Sequence, residues 1–364
     1  MTATNKKVAI VCDWLIGGGA EKVVLELHKL FPEAPIYTSY CTPGWRKKLD
    51  NKVVSGWLQY WPFSHLRKFI PFLRIWWFQS LKFNGYDLVI SASGAEAKGI
   101  KVPENTKHIS YIHAPTHYYW SKYDDYIKNP GFGIFNPLAR FGLKLLIKPL
   151  RKCDFNAAQR PNKLIANSTH TKNQIKKYYN REAEVIHPPV DVARFKDFSS
   201  KTRNGFVVVG RQVPYKRIDL AVMACTRLNL PLTIIGDGPE HQKLEKIAGP
   251  TCTFITNAKD QEIATILGKS KAFLFTGLED FGIAPVEAMA AGTPVIAYKA
   301  GGALDYVIDG KTGIFFEKQT AAALIGAIKK FNEIGFESTS CINKAQEFSV
   351  KIFIKKIIQA QLNR

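Results

Sequence analysis

Residues 277–297 read GLEDFGIAPVEAMAAGTPVIA, and they point to a fold before they point to any chemistry. The apolar run AFLFT (272–276) leads in, a helical pattern opens near Pro285, and the apolar run PVIAY (294–298) leads out. A strand, a helix and a second strand in so short a span make a βαβ unit. Neither run alternates polar with apolar residues. Both strands are therefore expected to be buried on both faces, as in a parallel sheet.

Working outward, the same rhythm continues. The second half of the chain offers GFVVVG (205–210), PLTIIG (231–236), CTFIT (252–256) and GIFF (313–316). The first half offers KVAIVC (7–12), PIYTS (35–39), YDLVIS (86–91), HISYIH (108–113), KLIAN (163–167) and AEVIH (183–187). Helical patterns fill the intervals, so two α/β blocks stand in tandem, each a doubly wound, Rossmann-like domain. Prolines, serines and charges in HPPVDVARFKDFSSKTRNG (187–205) break both periodicities. The expected domains are thus 1–190 and 191–345. The last helix, 346–364, has no strand of its own to cover and is expected to pack back on the first domain.

The bulk numbers agree with two globular domains. The chain has 364 residues, 46% hydrophobic and 22% charged, long for one core and ample for two. Its six cysteines are scattered without a C-x-x-C, so reduced thiols are expected and not disulfides or a zinc site. Asp13 cuts the first apolar run, which therefore reads as a first strand and not a signal peptide. No charge-free run reaches the roughly 18 residues of a membrane span. A cytoplasmic protein, peripheral on the inner face of the plasma membrane, is the expectation. Net charge is +21 and uneven: residues 1–190 hold 28 Lys/Arg against 13 Asp/Glu. Such an excess asks for an anionic partner, and nucleic acid, membrane and phosphorylated substrate all qualify.

Three clusters carry possible chemistry. DWLIGGGAEKVV places Gly17, Gly18 and Gly19 ahead of a helix opening near Ala20. Backbone N–H groups and the helix dipole there suit a phosphate, although a tight turn requires glycine as well. A dinucleotide site would add G-x-G-x-x-G and an acid ending the second strand; PIYTSYCT has none, which disfavours NAD. GRQVPYKR (210–217) sets Arg211 directly after a strand and Lys216 five residues on. Ligands of open α/β sheets bind outside the carboxyl ends of strands, where two cations can neutralise a diphosphate. The acids of the opening stretch occupy a similar edge, Glu279 in the loop after AFLFT and Glu287 inside the helix. A carboxylate accepts two hydroxyl hydrogen bonds at once, which suits vicinal diols, each charge-assisted bond contributing about 1.5–3 kcal/mol. Taken singly, each residue is also explained by a solvated loop or surface.

In order along the chain, GGAEKVV, VVVGRQVPYKR, IIGDGPEHQKLE, the E-x7-E of Glu279 and Glu287, AMAAGTPVIA and AGGALDYVIDGKTGIFF resemble the retaining glycosyltransferases of family 4. That family has the GT-B fold, two Rossmann-like domains facing a central cleft. YDLVISASGAEAKGI and HISYIHAPTHYYW are similar to a bacterial subgroup that builds surface polysaccharides, often as mannosyltransferases. The likeness spans most of the chain and is weakest over 45–85. It implies that Glu287 holds the nucleotide ribose and Glu279 the hydroxyls of the transferred sugar, aided by the backbone of Phe281, Gly282 and Ile283. It implies that Arg211 and Lys216 bind the diphosphate, that Gly18 and Gly19 close over it, and that His113 stands beside the donor sugar. Attack would come from the leaving-group face without a protein nucleophile, the two cations standing where other transferases use a metal. No D-x-D motif is present, so neither metal nor cofactor is expected.

The expected partners are a nucleotide-sugar donor (GDP-mannose first), a polyprenyl-linked or other glycan acceptor, and an anionic membrane surface. The alternatives are a UDP-sugar transferase with a soluble acceptor, or a nucleotide-sugar epimerase. Two stretches suggest the membrane. GWLQYWPFSHLRKFIPFLRIWWFQSLKF (56–83) carries four of the seven tryptophans among Arg67, Lys68, Arg74 and Lys82, and reads either as an interfacial segment or as a core helix. LARFGLKLLIKPLRK (138–152) is a second basic helical stretch. No nucleic-acid-binding motif is visible, and no nucleic-acid partner is expected.

Overall fold

The computed structural model describes residues 6–66, 71–128, 130 and 133–362. The chain divides into two compact units, Met1–Pro188 with Ile354–Arg364, and Pro189–Phe353. Each is built on one all-parallel sheet.

The first sheet holds β1 (Val8–Cys12), β2 (Ile36–Thr38), β3 (Val53–Ser55), β4 (Leu88–Ser93), β5 (Lys107–Ile112), β6 (Lys163–Ala166) and β7 (Glu184–Val185). Their spatial order is β3-β2-β1-β4-β5-β6-β7. The second holds β8 (Phe206–Val209), β9 (Leu232–Ile235), β10 (Cys252–Ile255), β11 (Ala272–Phe275), β12 (Val295–Tyr298) and β13 (Gly313–Phe316), ordered β10-β9-β8-β11-β12-β13. Every strand but β3 overlaps a run read from the sequence; β4 continues two residues beyond its run, to Ser93, and β5 begins one residue before its run, at Lys107. β3 is a three-residue edge strand, too short to show a period.

The second unit explains why unbroken apolar runs mark buried strands. Val207, Phe273, Phe275, Val295 and Ala297 pack into one core cluster, while Phe206, Val208, Leu274 and Ile296 pack into another. Neighbouring residues on a strand point to opposite faces, so a sheet covered on both sides needs apolar residues at every position.

Two expectations are corrected. The C-terminal stretch is two helices, Ser338–Gln346 and Val350–Leu362, and not one. Cys341, Ala345 and Phe348 join the core of the second unit, so the expected break at 345/346 falls later, after Phe353. Beyond it the chain belongs to the first unit, where Lys107 Nζ donates to Gln361 O (3.0 Å) and Lys163 Nζ to Ala360 O (3.4 Å). Cations at a helix C-terminus offset its dipole.

The aromatic stretch 56–83 is no continuous amphipathic helix. It forms a turn at Trp57–Gln59 and short helices at Phe63–Leu66 and Pro71–Ser80. Leu58, Trp77, Phe78 and Phe83 are buried with Ala9, Val11 and Val89. Arg67 and Lys68 lie outside the described residues. Arg74, which would face lipid on the interfacial reading of this stretch, is buried: Nη2 stands 2.6 Å from Glu96 Oε1 and Nε 3.1 Å from Oε2. Burial works against the Arg74 charge, yet Glu96 holds the guanidinium well above its ordinary value. Only Trp61 and Trp76 of the four tryptophans are exposed. Among the described residues no helix is long and apolar enough to cross a membrane. The six cysteines are free thiols.

Candidate donor site

In the second sheet β8 and β11 are neighbours although β9 and β10 separate them in sequence. The chain reverses its winding there, and the crevice outside the carboxyl ends of such a strand pair is where open α/β sheets bind ligands. Arg211 follows β8 and is exposed; Glu279 lies in the loop after β11. Lys216 Nζ reaches across to Glu279 Oε1 at 2.9 Å, with side chains 18% and 20% exposed. Thr276 Oγ1 donates to Lys216 O (2.9 Å), tying the two loops through the backbone as well. A shallow pocket lies against the pair, lined among others by Val209, Phe275 and Thr276.

Two glycines make this approach possible. Gly210 has φ +151°, and a Cβ there would stand 2.7 Å from Lys216 Nζ. Gly282 has φ +86° and opens the helix Ile283–Ala290; a Cβ there would press on the Phe275 ring at 2.6 Å. Both need the left-handed freedom that only glycine has at no steric cost. The loop between is clamped. Gly302 N donates to Glu279 O (2.9 Å), Tyr306 OH donates to Phe281 O (3.1 Å), and the Phe281 ring packs on Tyr306 and Phe348. Glu287 is buried one turn into the helix. The structure therefore brings Lys216 and Glu279 into contact, with Phe281, Gly282 and Ile283 in the same clamped loop and Arg211 at the adjoining strand end.

The first sheet has its own switch point, between β1 and β4. Gly17, Gly18 and Gly19 are exposed in the turn after β1, ahead of the helix Ala20–Leu30. His113 directly follows β5; its N–H donates to Ser93 O (2.8 Å), its carbonyl accepts from Asn167 Nδ2 (2.9 Å), and its ring lies edge-on to Tyr111.

Sequence reasoning missed two acids here. Glu21 Oε1 accepts the N–H groups of Ile16 (3.3 Å) and Gly17 (3.0 Å), so the chain's own carboxylate fixes the start of the glycine turn. Asp13 accepts three more, from Gly94 (2.7 Å), Ala95 (2.9 Å) and Ala97 (2.7 Å), and pins the loop after β4 to the end of β1. Burial and the Glu96 charge raise the Asp13 pKa against the pull of those bonds. An acid closing an apolar strand is the signal that the sequence offers for Asp13. Among the described residues no three His, Cys, Asp or Glu side chains converge as metal ligands.

Comparison with known proteins identifies the family and the fold. Residues 17–194 match the domain described as Glycosyltransferase Family 4, and residues 190–348 the domain described as Glycosyl transferases group 1. An uncharacterised glycosyltransferase of Methanocaldococcus jannaschii is 29% identical over 167 residues, covering 44% of this chain and 47% of that protein. A GDP-mannose-dependent alpha-mannosyltransferase of Mycolicibacterium smegmatis is 34% identical over 110 residues, 30% of this chain and 29% of that one. The chain thus spans less than half the length of these curated relatives. Among solved structures, Anabaena HepE in complex with UDP and glucose superposes with a TM-score of 0.71 at 17% identity, covering 99% of this chain and 100% of that one. The lipopolysaccharide outer core galactosyltransferase WaaB gives 0.68 at 16% identity, over 98% and 99% of the two chains. With the two domain matches adjoining and together running from residue 17 to residue 348, the chain belongs to the family 4 glycosyltransferases, and its two parallel-sheet units are the Rossmann-like domains of their GT-B fold.

Proposed function

We propose that this protein is a retaining, metal-independent glycosyltransferase that moves mannose from GDP-mannose to a lipid-linked glycan in bacterial polysaccharide synthesis, at the inner face of the plasma membrane. The observation that carries the donor chemistry is the Lys216–Glu279 pair, 2.9 Å apart across the β8/β11 crevice. Paired to each other, these groups present a cation for a diphosphate and a carboxylate for sugar hydroxyls from opposite walls of one crevice. As the bond to the leaving diphosphate breaks, negative charge grows on its oxygens. Lys216, joined by Arg211 from the adjoining strand end, stabilises that charge from a fixed position, and preorganised charge is usually the largest catalytic term. Glu279 turns to the hydroxyls of the transferred sugar, with the backbone of Phe281, Gly282 and Ile283 beside it, and Glu287 takes the ribose. His113 is assigned to the transferred sugar, and Gly18 and Gly19 to the diphosphate. The mannose assignment draws on the GDP-mannose-dependent relative.

A panel of nucleotide sugars tests this by thermal stabilisation. A ligand at a hundred times its dissociation constant adds about 2.7 kcal/mol. GDP-mannose is expected to stabilise most, and activity is expected to survive EDTA with the anomeric configuration of the donor kept in the product. A UDP-sugar donor is the second reading, favoured by the fold shared with HepE, which was solved with UDP. Stabilisation by UDP sugars alone selects it, a product that is an isomer of the donor selects an epimerase, and no stabilisation by any nucleotide sugar sinks all three.

A further inference from the structure

The outward face of the helix Asn136–Gln159 plays no part in donor chemistry, and its exposure is set by what lies underneath. Ile147, Leu150, Ala157 and Ala158 are buried on the inner side. Asp154, also buried, accepts from Lys98 Nζ (2.6 Å), Thr116 Oγ1 (2.8 Å), Trp120 Nε1 (2.7 Å) and Tyr179 OH (2.7 Å). Four bonds to one carboxylate from three other segments fix the roll of the helix about its axis. At 3.6 residues per turn, Leu138, Phe141 and Leu145 then share the outward arc. They are 69%, 66% and 66% exposed. Arg140, Lys144, Lys148 and Lys152 recur every fourth residue and form an exposed stripe beside them. No Asp or Glu occurs from residue 126 to residue 153, which holds six Lys and Arg.

We propose that this face docks on an anionic lipid bilayer, with Leu138, Phe141 and Leu145 among the headgroups and the basic stripe on the phosphates. Apolar side chains flanked by cations are what an interfacial helix presents to such a surface. A second copy of the chain is the wrong occupant, because two stripes without a single intervening acid would repel. Nucleic acid would match the stripe but leave the apolar arc in water. The inference deepens the lipid-linked acceptor proposed above, yet its test reads binding and not transfer, so either can fail alone.

Sedimentation with vesicles of phosphatidylcholine containing about one-third phosphatidylglycerol, set against pure phosphatidylcholine, decides it. The protein is expected to bind the anionic vesicles, and rising salt to weaken that binding without abolishing it, because salt screens charges and not apolar insertion. Changing Arg140, Lys144 and Lys148 together to Gln should loosen binding at low salt about a hundredfold, roughly fivefold for each cation. Changing Leu138, Phe141 and Leu145 together to Ser should remove the salt-resistant part. All six side chains are at the surface, and an unchanged melting temperature with retained donor-induced stabilisation certifies each variant as folded. Trp61→Ser with Trp76→Ser, the exposed rings of the other aromatic stretch, should leave binding as it was. The proposal is overturned if the protein ignores anionic vesicles, if both helix variants sediment like the parent, if the tryptophan pair releases the protein instead, or if the serine variant merely splits a dimer.

Discussion

The two units use charge in opposite ways. Inside the first, Asp13, Arg74, Glu96, Lys98 and Asp154 are buried and bonded into networks that join loops to helices. Among the described residues of the second, Glu287 is the one charged side chain that is buried, and Lys216 and Glu279 meet at the rim of the crevice. Charge in the first unit therefore holds structure, and a buried or periodic cation there is no sign of a site. In the second unit apolar packing on both sheet faces already holds the structure, and the Lys216–Glu279 pair stands at the carboxyl ends of β8 and β11. The same contrast explains why Arg74, in a stretch that read either as interfacial or as core, is buried against Glu96.

The largest effect should come from breaking the Asp154 network. Asp154→Ala leaves Lys98 buried without its carboxylate, and losing one partner of a buried pair destabilises by about 3–5 kcal/mol. Replacing both, Lys98→Met with Asp154→Leu, should recover only the part due to the unpaired Lys98 charge, because Thr116, Trp120 and Tyr179 still lose their acceptor. Urea unfolding followed in the first unit measures it. A loss below 1 kcal/mol for the single change would mean that the network is ornamental and the contrast false.

Next in size is the crevice. Lys216→Ala should lower kcat/KM about 10²–10³-fold, the effect of removing one preorganised charge stabiliser. Its stability should move by less than about 1 kcal/mol, since a partly solvated pair contributes little. Glu287→Ala should act mainly on donor binding and Glu279→Ala mainly on turnover, because contacts to the reacting sugar strengthen in the transition state. Steady-state kinetics beside a melting curve separates the two. An unfolded Lys216→Ala protein would erase the distinction between the units.

The smallest effect, taken per pH unit, is a slope in stability. His108 is buried beside Ser91, and burial first, then the charges of Arg160 and Arg181, lower its pKa to about 3. The unfolded chain takes up this proton near pH 6.5 and the folded chain only near 3, so stability complete above 6.5 declines as pH falls through that window. The slope is about 1.4 kcal/mol per pH unit. Asp13, with its raised pKa, acts in the opposite sense, so the readable quantity is the difference between the parent and His108→Gln. Equal slopes for the two proteins would refute the assignment, and the second unit should show no difference in either.

What the sequence by itself determined was whatever repeats locally. Strands such as Phe206–Val209 and Ala272–Phe275, buried on both faces, must be apolar at every position, and that pattern survives without knowledge of neighbours. The places of Arg211 and Glu279 in the loops after β8 and β11 were legible because a polar residue soon after an unbroken apolar run marks a strand's carboxyl end. Only the tertiary structure decided what depends on a distant partner. The Lys216–Glu279 contact joins residues 63 positions apart, the Asp154 bonds reach back as far as Lys98, and Arg74 on the helix Pro71–Ser80 meets Glu96 in the segment after β4. The edge strand Val53–Ser55 exists because β2 offers it a backbone ladder, and nothing in three residues announces that. The roll of the helix Asn136–Gln159, and with it the face turned outward, follows from one buried carboxylate whose four donors no local pattern reveals.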